Sequence, residues 1–523
     1  MKKIAIDMSS FEEIIKKEYI YVDKTKYLYK IISNHKYYFL SRPRRFGKSL
    51  FINTLKAFFE GKRELFKELY IYDKEWNWEE YPIIKLDFNI IPVKNRDVLE
   101  KSMNKRLMEI ANKYEVEIEN EESYYQFSNL VKKLSSKYKK GVVILVDEYD
   151  KPIISHLGDG KEEVKIAKEN MEFMKIFYDN LKPLESHIKT VFMTGVSKFS
   201  KVSIFSTLNN LIEIDKEPEY ADIMGYTEEE LTKYFTTYFE ELSKKYEMSI
   251  EKIREKFKFT YNGFRFTESE KKVYNPFSSG RALSNRRFEH YWFESGTPTF
   301  LMKLIKEKNY DVINLEKIEI GRDKLKAYDI EKMDLIPLLF QTGYLTIKKI
   351  EDEIVYTLGY PNNEVESGFV LHLIYSFSEE QIDIPVIHKI KKSLLNKDIN
   401  EFEKNIKSLF ANISNINIPK GVSEREHFYN TIFYLTGVLF SDNNLQVYSE
   451  LLTSEGRIDM AVETPNRIYI IEFKCNQSAE IAIKQIRDKN YKEKFLLKEK
   501  EILLLGVNFS TDKRNVEEIK MEK

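Results

Sequence analysis

Two groups of residues have types and spacing suited to chemistry on phosphates. GRIDMAVETPNRIYIIEFKC carries Asp459, then Glu472 and Lys474 thirteen and fifteen residues on. Glu472 and Lys474 are two apart, so on a strand both leave the same face. The turn signal ETPNR (463–467) folds the preceding strand alongside and brings Asp459 toward Glu472. Two adjacent carboxylates make an oxygen-rich site for Mg²⁺ or Mn²⁺. Such an ion lowers the pKa of a bound water, and the lysine can position that water or offset charge in the transition state. The ordinary alternative is an exposed hairpin with alternating charges. Against it, IYIIEFKC is apolar on both sides of the pair, and charges beside a buried strand usually have partners or ligands.

The second group is SRPRRFGKSLFINTLKAFF (41–59), which follows the apolar run KYYFLS and opens a helical pattern. A phosphate-binding loop needs a strand, a tight turn, a lysine for the β- and γ-phosphates, and a Ser or Thr for Mg²⁺. Gly47, Lys48 and Ser49 supply the last three, and Arg45 stands beside them in the loop. The first glycine of G-x-x-x-x-G-K-[ST] is missing, because position 42 is Arg42. GVVILVDEYD ends an apolar run on Asp147 and Glu148, suited to holding Mg²⁺ and polarising a water, or else simply ending a strand. Thr194, at the end of TVFMTGV, either senses the γ-phosphate or turns the chain.

The elements that must position these residues follow from the apolar runs. KYYFLS (36–41), PIIKLDF (82–88), GVVILVDEY (141–149) and TVFMTGV (190–196) read as buried strands with helical segments between them. That alternation predicts a parallel sheet with helices on both faces over residues 1–225. Residues 226–365 form a mostly helical, lid or winged-helix-like region, opened by a cap at Thr227 with Glu230 three residues on. Within it, 335–365 reads as short strands with turns. Residues 366–523 are a helical lead-in and a small α/β domain with its core at about 420–512, in which a helix (478–499) precedes a last strand (501–509).

At 523 residues the chain exceeds one core, and about two to four domains are expected. Lys+Arg and Asp+Glu are equal at 84, so any nucleic-acid surface must be a local patch. One cysteine, Cys475, excludes an internal disulfide and fits a reducing compartment; it reads as a packed apolar residue. No apolar run of signal-peptide or membrane-spanning length is present, so a cytoplasmic protein without membrane contact is expected. Seven scattered histidines without H-x-x-x-H spacing argue against zinc. KKLSSKYKK (132–140) and HKIKKSLLNK (388–397) read as solvated helix faces, and Phe288, Tyr291 and Trp292 near Arg281, Arg286 and Arg287 as core packing.

YVDKTKYLYKI, SRPRRFGKSLFINTL, VVILVDEYDKPI and FMTGVSKFSKVSIFSTLNNL together resemble the AAA-ATPase-like proteins of bacteria that carry a PD-(D/E)xK domain behind the ATPase. YNGFRF, VYNPFS and YWFESGTPTFL resemble the middle region of that family, in which the arginine-rich loop is the norm. The resemblance implies ATP and Mg²⁺ (or Mn²⁺) as cofactors. It assigns nucleotide binding to Lys48 and Ser49 and a part in hydrolysis to Asp147 and Glu148. Asp23 and Lys24 recur in the signature. GRIDM…IIEFKC…AIKQIRDKNY resembles the PD-(D/E)xK nuclease domain, which implies metal-dependent cleavage of nucleic acid, DNA rather than RNA. By that resemblance Glu426 and Glu450 occupy places of further acids, and Gln485 and Tyr491 match a motif helix. ATPases of this kind often complete their site from a neighbouring subunit, so a homo-oligomer is expected. The alternative is a nucleotide-dependent switch whose nuclease-like domain binds nucleic acid or a partner without cutting.

Overall fold

The computed structural model describes residues 1–119, 121–157, 160–198, 208, 210–295, 301–302, 304–305, 315, 317–325, 334–377, 384–413, 422–441 and 445–523. These fall into two compact units, one reaching Val365 and the other running from Glu366 to Lys523.

The first unit is built on β1 (Tyr37–Ser41), β2 (Ile83–Asp87), β3 (Val142–Asp147), β4 (Ile188–Gly195) and the two-residue β5 (Ile212–Glu213). They form a five-stranded sheet in the order β2-β3-β4-β1-β5, with every pairing parallel. β3 is buried at all six positions and β1 at four of five, as strands covered on both faces must be. The four apolar runs are thus strands, and β5 is an additional short one. Because all strands run the same way, Ser41, Asp87, Asp147 and Thr194 collect at one edge, the carboxyl ends where α/β sheets bind ligands.

The middle region is helical, with Glu228–Tyr246, Ile250–Tyr261 and Pro276–Asn285 around one apolar core. Thr227 and Glu230 form the capping box: the Thr227 hydroxyl accepts from Glu230 N–H (3.2 Å), and Glu230 Oε2 accepts from Thr227 N–H (2.9 Å). Tyr291 and Trp292 are buried, and Phe288 packs on the core. The segment 335–365 departs from expectation. Leu335–Thr342 is a helix ended by Gly343 at φ +87, because a short apolar run reads alike as buried strand or buried helix. Strands follow it: β8 (Val355–Gly359) pairs with both β7 (Thr346–Glu351) and β6 (Ile318–Gly321) in an antiparallel sheet.

In the second unit β9 (Gln446–Leu452), β10 (Arg457–Glu463), β11 (Arg467–Cys475), β12 (Glu501–Ser510) and β13 (Asn515–Glu522) form a sheet in the order β13-β12-β11-β10-β9. Only β11 and β12 pair in parallel, which requires a crossover. The helix Ala479–Asp488 is that crossover. It is shorter than the segment 478–499 expected from sequence: Asn490 at φ +47 breaks it, and Tyr491–Lys498 continues as a 3-10 turn. β13 lies beyond the expected core of the domain, about 420–512; its charged run NVEEIKME suits an edge strand better than a core one.

Candidate functional sites

In the phosphate loop the turn is made by Gly47 at φ +91, a conformation that favours glycine, and the helix Lys48–Phe59 starts directly behind it. Its free N–H groups and positive end face the loop. Lys48 is buried, and burial lowers its pKa against the pull of Glu148, Asp147 and Asp150. Its Nζ donates to the carbonyls of Arg42 (2.8 Å) and Pro43 (3.0 Å). Ser49 follows in the first helical turn, half-buried.

Arg42, in place of the usual glycine, is 2% exposed and turns away under the loop. Its guanidinium donates to Ser41 O (2.9 Å) and Asp215 O (3.0 Å) and lies 4.6 Å from the Phe266 ring centre. Burial brings it down to about 10, so it stays charged at neutral pH. It is a strut of the loop. Arg45 instead points outward, at φ +66, over the Phe277 ring (4.5 Å) and 3.9 Å from Asp7.

Asp147 is fully buried at the end of β3. Its Oδ1 accepts from the Thr194 hydroxyl (2.7 Å), and its Oδ2 has no partner among the described residues. A buried carboxylate oxygen with no donor fits a cation or a metal-bound water. Thr194 also accepts from Glu148 N–H (3.4 Å), tying β3 to β4. Glu148 sits at φ +52, an uncommon backbone state for a non-glycine residue. Asp150 accepts from Val196 N–H (3.0 Å) and Ser197 N–H (2.7 Å) and braces the exit of β4; burial pushes it up to about 6. Asp87 accepts from Asn89 N–H (3.0 Å) and turns its own loop. The stretch past Lys198, 199–207, lies outside the described residues.

Beside Gly47 an apolar cleft is lined by Ile20, Val22, Phe46, Leu50, Ile223 and Met224. Behind it Lys24 Nζ donates to Glu230 Oε1 (2.7 Å) and Asp222 O (2.8 Å). Asp23 accepts from Thr25 N–H (2.8 Å) and Tyr70 N–H (2.7 Å). These two signature residues hold the N-terminal segment in place.

At the second centre the pairing Met460↔Ile471 continues so that Asp459 lies beside Glu472. Asp459 Oδ2 accepts from Phe473 N–H (2.9 Å). Glu472 is 2% exposed; burial first, then the facing Asp459 carboxylate, raise it to about 8. Burial also raises Asp459. Lys474 Nζ is 3.7 Å from Glu472 Oε1. Gln485 donates to the same oxygen from the crossover helix. The helix comes that close because β12 places Gly506 beside Glu472: a Cβ there would stand 2.1 Å from Ala479 O. Glu472 Oε2 is buried with no partner among the described residues. Two desolvated carboxylates and an unpaired oxygen are what a divalent cation would satisfy. With two acids this falls short of a full ligand set, and among the described residues no group of three or more His, Cys, Asp and Glu is gathered as a metal site. Glu426 stands in the helix Val422–Phe440, but its side chain lies outside the described residues.

Glu450 lies across from Asp459 in the β9–β10 register, at φ +53, and pairs with Arg457. The Tyr491 hydroxyl donates to Arg457 O (2.9 Å). Arg457 and its partner Glu450 are seven residues apart on facing strands, and only strand pairing joins them. Cys475 is buried.

The phosphate-loop sheet and the carboxylate sheet define a two-part class, an AAA-ATPase-like domain followed by a PD-(D/E)XK nuclease superfamily domain. Residues 5–205 match the family described as predicted AAA-ATPase, and residues 424–519 match the PD-(D/E)XK nuclease superfamily. The chain belongs to this family of predicted AAA-ATPases with a C-terminal PD-(D/E)XK domain. It is 34% identical over 526 residues, 98% of each chain, to a protein of Azotobacter chroococcum mcd 1 described as an uncharacterized protein in the vnfD 5' region. Among the described residues no helix is long and apolar enough to cross a membrane.

Proposed function

We propose that this protein binds and hydrolyses ATP at the Lys48 loop and cleaves DNA phosphodiesters at the Asp459–Glu472 pair, with Mg²⁺ or Mn²⁺ at both. The observation that carries the second half is Glu472 Oε2, a buried carboxylate oxygen without a donor beside a second carboxylate and a lysine. Asp459 and Glu472 would hold the ion, which supplies Lewis acidity and a water of lowered pKa. Lys474 faces the same space and offsets negative charge on the phosphate. Gln485 orients Glu472 from behind. In the first half the loop N–H groups and Lys48 take the phosphates, Ser49 and Asp147 take the ion, and Thr194 holds Asp147 in place. The apolar cleft beside Gly47 suits a base.

The test is Mg²⁺- or Mn²⁺-dependent cleavage of plasmid and single-stranded DNA by wild type and Asp459→Ala. Cleavage by the first alone is expected; equal activity would remove the nuclease half.

A second reading keeps nucleotide binding without turnover, with the nuclease fold as a binding module. It draws on Lys48, whose three protons are already partly engaged by loop carbonyls. Tight ATP binding with no hydrolysis, unchanged by Glu148→Gln, would favour it. The place in the cell is proposed as the cytoplasm, on the single buried cysteine, and a homo-oligomer would be read directly from mass in solution.

A further inference from the structure

The C-terminal unit carries a surface that neither centre uses. Leu497 is 97% exposed, Leu452 74% and Leu496 62%. Leu496 and Leu497 lie on the Tyr491–Lys498 segment, and Leu452 ends β9. The two places are joined, because Lys494 Nζ donates to Leu452 O (2.8 Å) and Tyr491 is bonded to Arg457 O. Tyr491 and Phe495 are anchored in the domain core, so the leucines stand on fixed backbone. Single exposed leucines are ordinary; here three are carried by two segments that are bonded to each other.

Charge selects the partner. Residues 484–498 hold six basic and two acidic side chains; Arg487 is paired with Glu522 and Lys498 with Glu463, which leaves the strip a net of +2 in a chain of overall net charge +0. Lys484 and Lys489 are exposed and Lys492 is half-buried. The strip starts next to Gln485, which touches Glu472, and ends at the leucines. A polyanion fits it. The apolar side chains then select the form of that polyanion. Single strands are held by aromatic rings on which bases stack. Every exposed large apolar side chain among the described residues of this unit is aliphatic. Aliphatic wedges enter a duplex between base steps from the minor groove and kink it.

We propose that the β9–β10 turn and the Tyr491–Lys498 segment dock a DNA duplex. Lys484 and Lys492 lie along its phosphates, and Leu496 and Leu497 act as a wedge that bends it beside the Asp459–Glu472 pair. The inference rests on the nuclease reading of that pair.

The experiment uses the full chain with Glu472→Gln, to separate binding from cutting. Affinity for a duplex of about 30 base pairs is read by fluorescence anisotropy, and bending by energy transfer between its ends. Adding Leu496→Ser with Leu497→Ser is expected to abolish the bend and weaken binding about tenfold, with the salt dependence unchanged. Adding Lys484→Ala with Lys492→Ala is expected to weaken binding, lower the salt slope by about 2 and keep the bend. Thermal melts at the parent temperature confirm that each variant is folded. Equal bend and affinity in the leucine variant would overturn the proposal. So would tighter binding of single strands or duplex RNA, or a leucine effect confined to the protein's mass in solution. Wild-type cleavage that survives the leucine changes, with bending intact, would remove the docking face and leave the nuclease reading. Absence of wild-type cleavage would remove that reading, while the bend of the Glu472→Gln complex still decides the wedge.

Discussion

In the N-terminal unit Lys48 folds back onto the carbonyls of Arg42 and Pro43, whereas in the C-terminal unit Glu472 is buried with one oxygen unpartnered. The phosphate loop is made largely of backbone, at the ends of parallel strands. Without ligand its lysine is satisfied internally, so binding a nucleotide exchanges one set of bonds for another. The carboxylate centre is made of side chains in mid-strand, between packed layers. Folding itself loads it: burial and the neighbouring acid raise Glu472 to about 8. Both centres keep a buried carboxylate oxygen with no partner among the described residues, Asp147 Oδ2 and Glu472 Oε2, but only in the second do two carboxylates raised by burial face each other, an electrostatic stress that a cation would relieve.

The largest effect should fall on the stressed centre. Glu472→Gln is expected to cut metal-dependent DNA cleavage by about 10³-fold or more, read on plasmid nicking. Retention of half the activity would end the contrast. Next, Lys48→Ala should weaken ATP binding by about 30-fold or more by calorimetry. Metal binding at Asp459–Glu472 should be untouched; a loss of both would mean that the two centres are not separate.

Arg42→Gly, which restores the generic motif, is expected to destabilise the first unit by about 2–4 kcal/mol in urea, since it empties a buried cationic site. A gain in stability would show that Arg42 is no strut. The smallest effect concerns stability against pH. Glu472 ionises near 8 in the folded chain against an ordinary 4.5. The native state therefore holds an extra proton between those values, and stability falls as pH rises through that window. Glu472→Gln removes the penalty, so its Tm should exceed wild type by roughly 5 °C at pH 8 and by little at pH 5. Equal curves would remove the stress.

Much of this was legible locally. Gly47, Lys48 and Ser49 are consecutive, so strand, turn and helix could be read together. Glu472 and Lys474 share a face by the two-residue period of a strand. The helix Leu335–Thr342 escapes a sequence reading because its six consecutive apolar residues, Leu335 to Phe340, show no period. Arg42 looked like a defect because a motif records residue types, not where a side chain goes. Burial of Glu472 could be suspected from its apolar neighbours, but its charge state depends on Asp459 across the hairpin.

The amino-acid order alone pointed to the long core strands and to the residues proposed for phosphate chemistry, since both depend on neighbours within one turn or one strand; it did not reveal the helix Leu335–Thr342 or the strands β5 and β13. Tertiary structure decided the rest. It set the order β2-β3-β4-β1-β5, which brings Thr194 onto Asp147, and the crossover that swings Gln485 onto Glu472. It also set the pairing of Glu450 with Arg457. Each joins residues distant along the chain or on different strands, and their meeting depends on packing and desolvation, which no local spacing encodes.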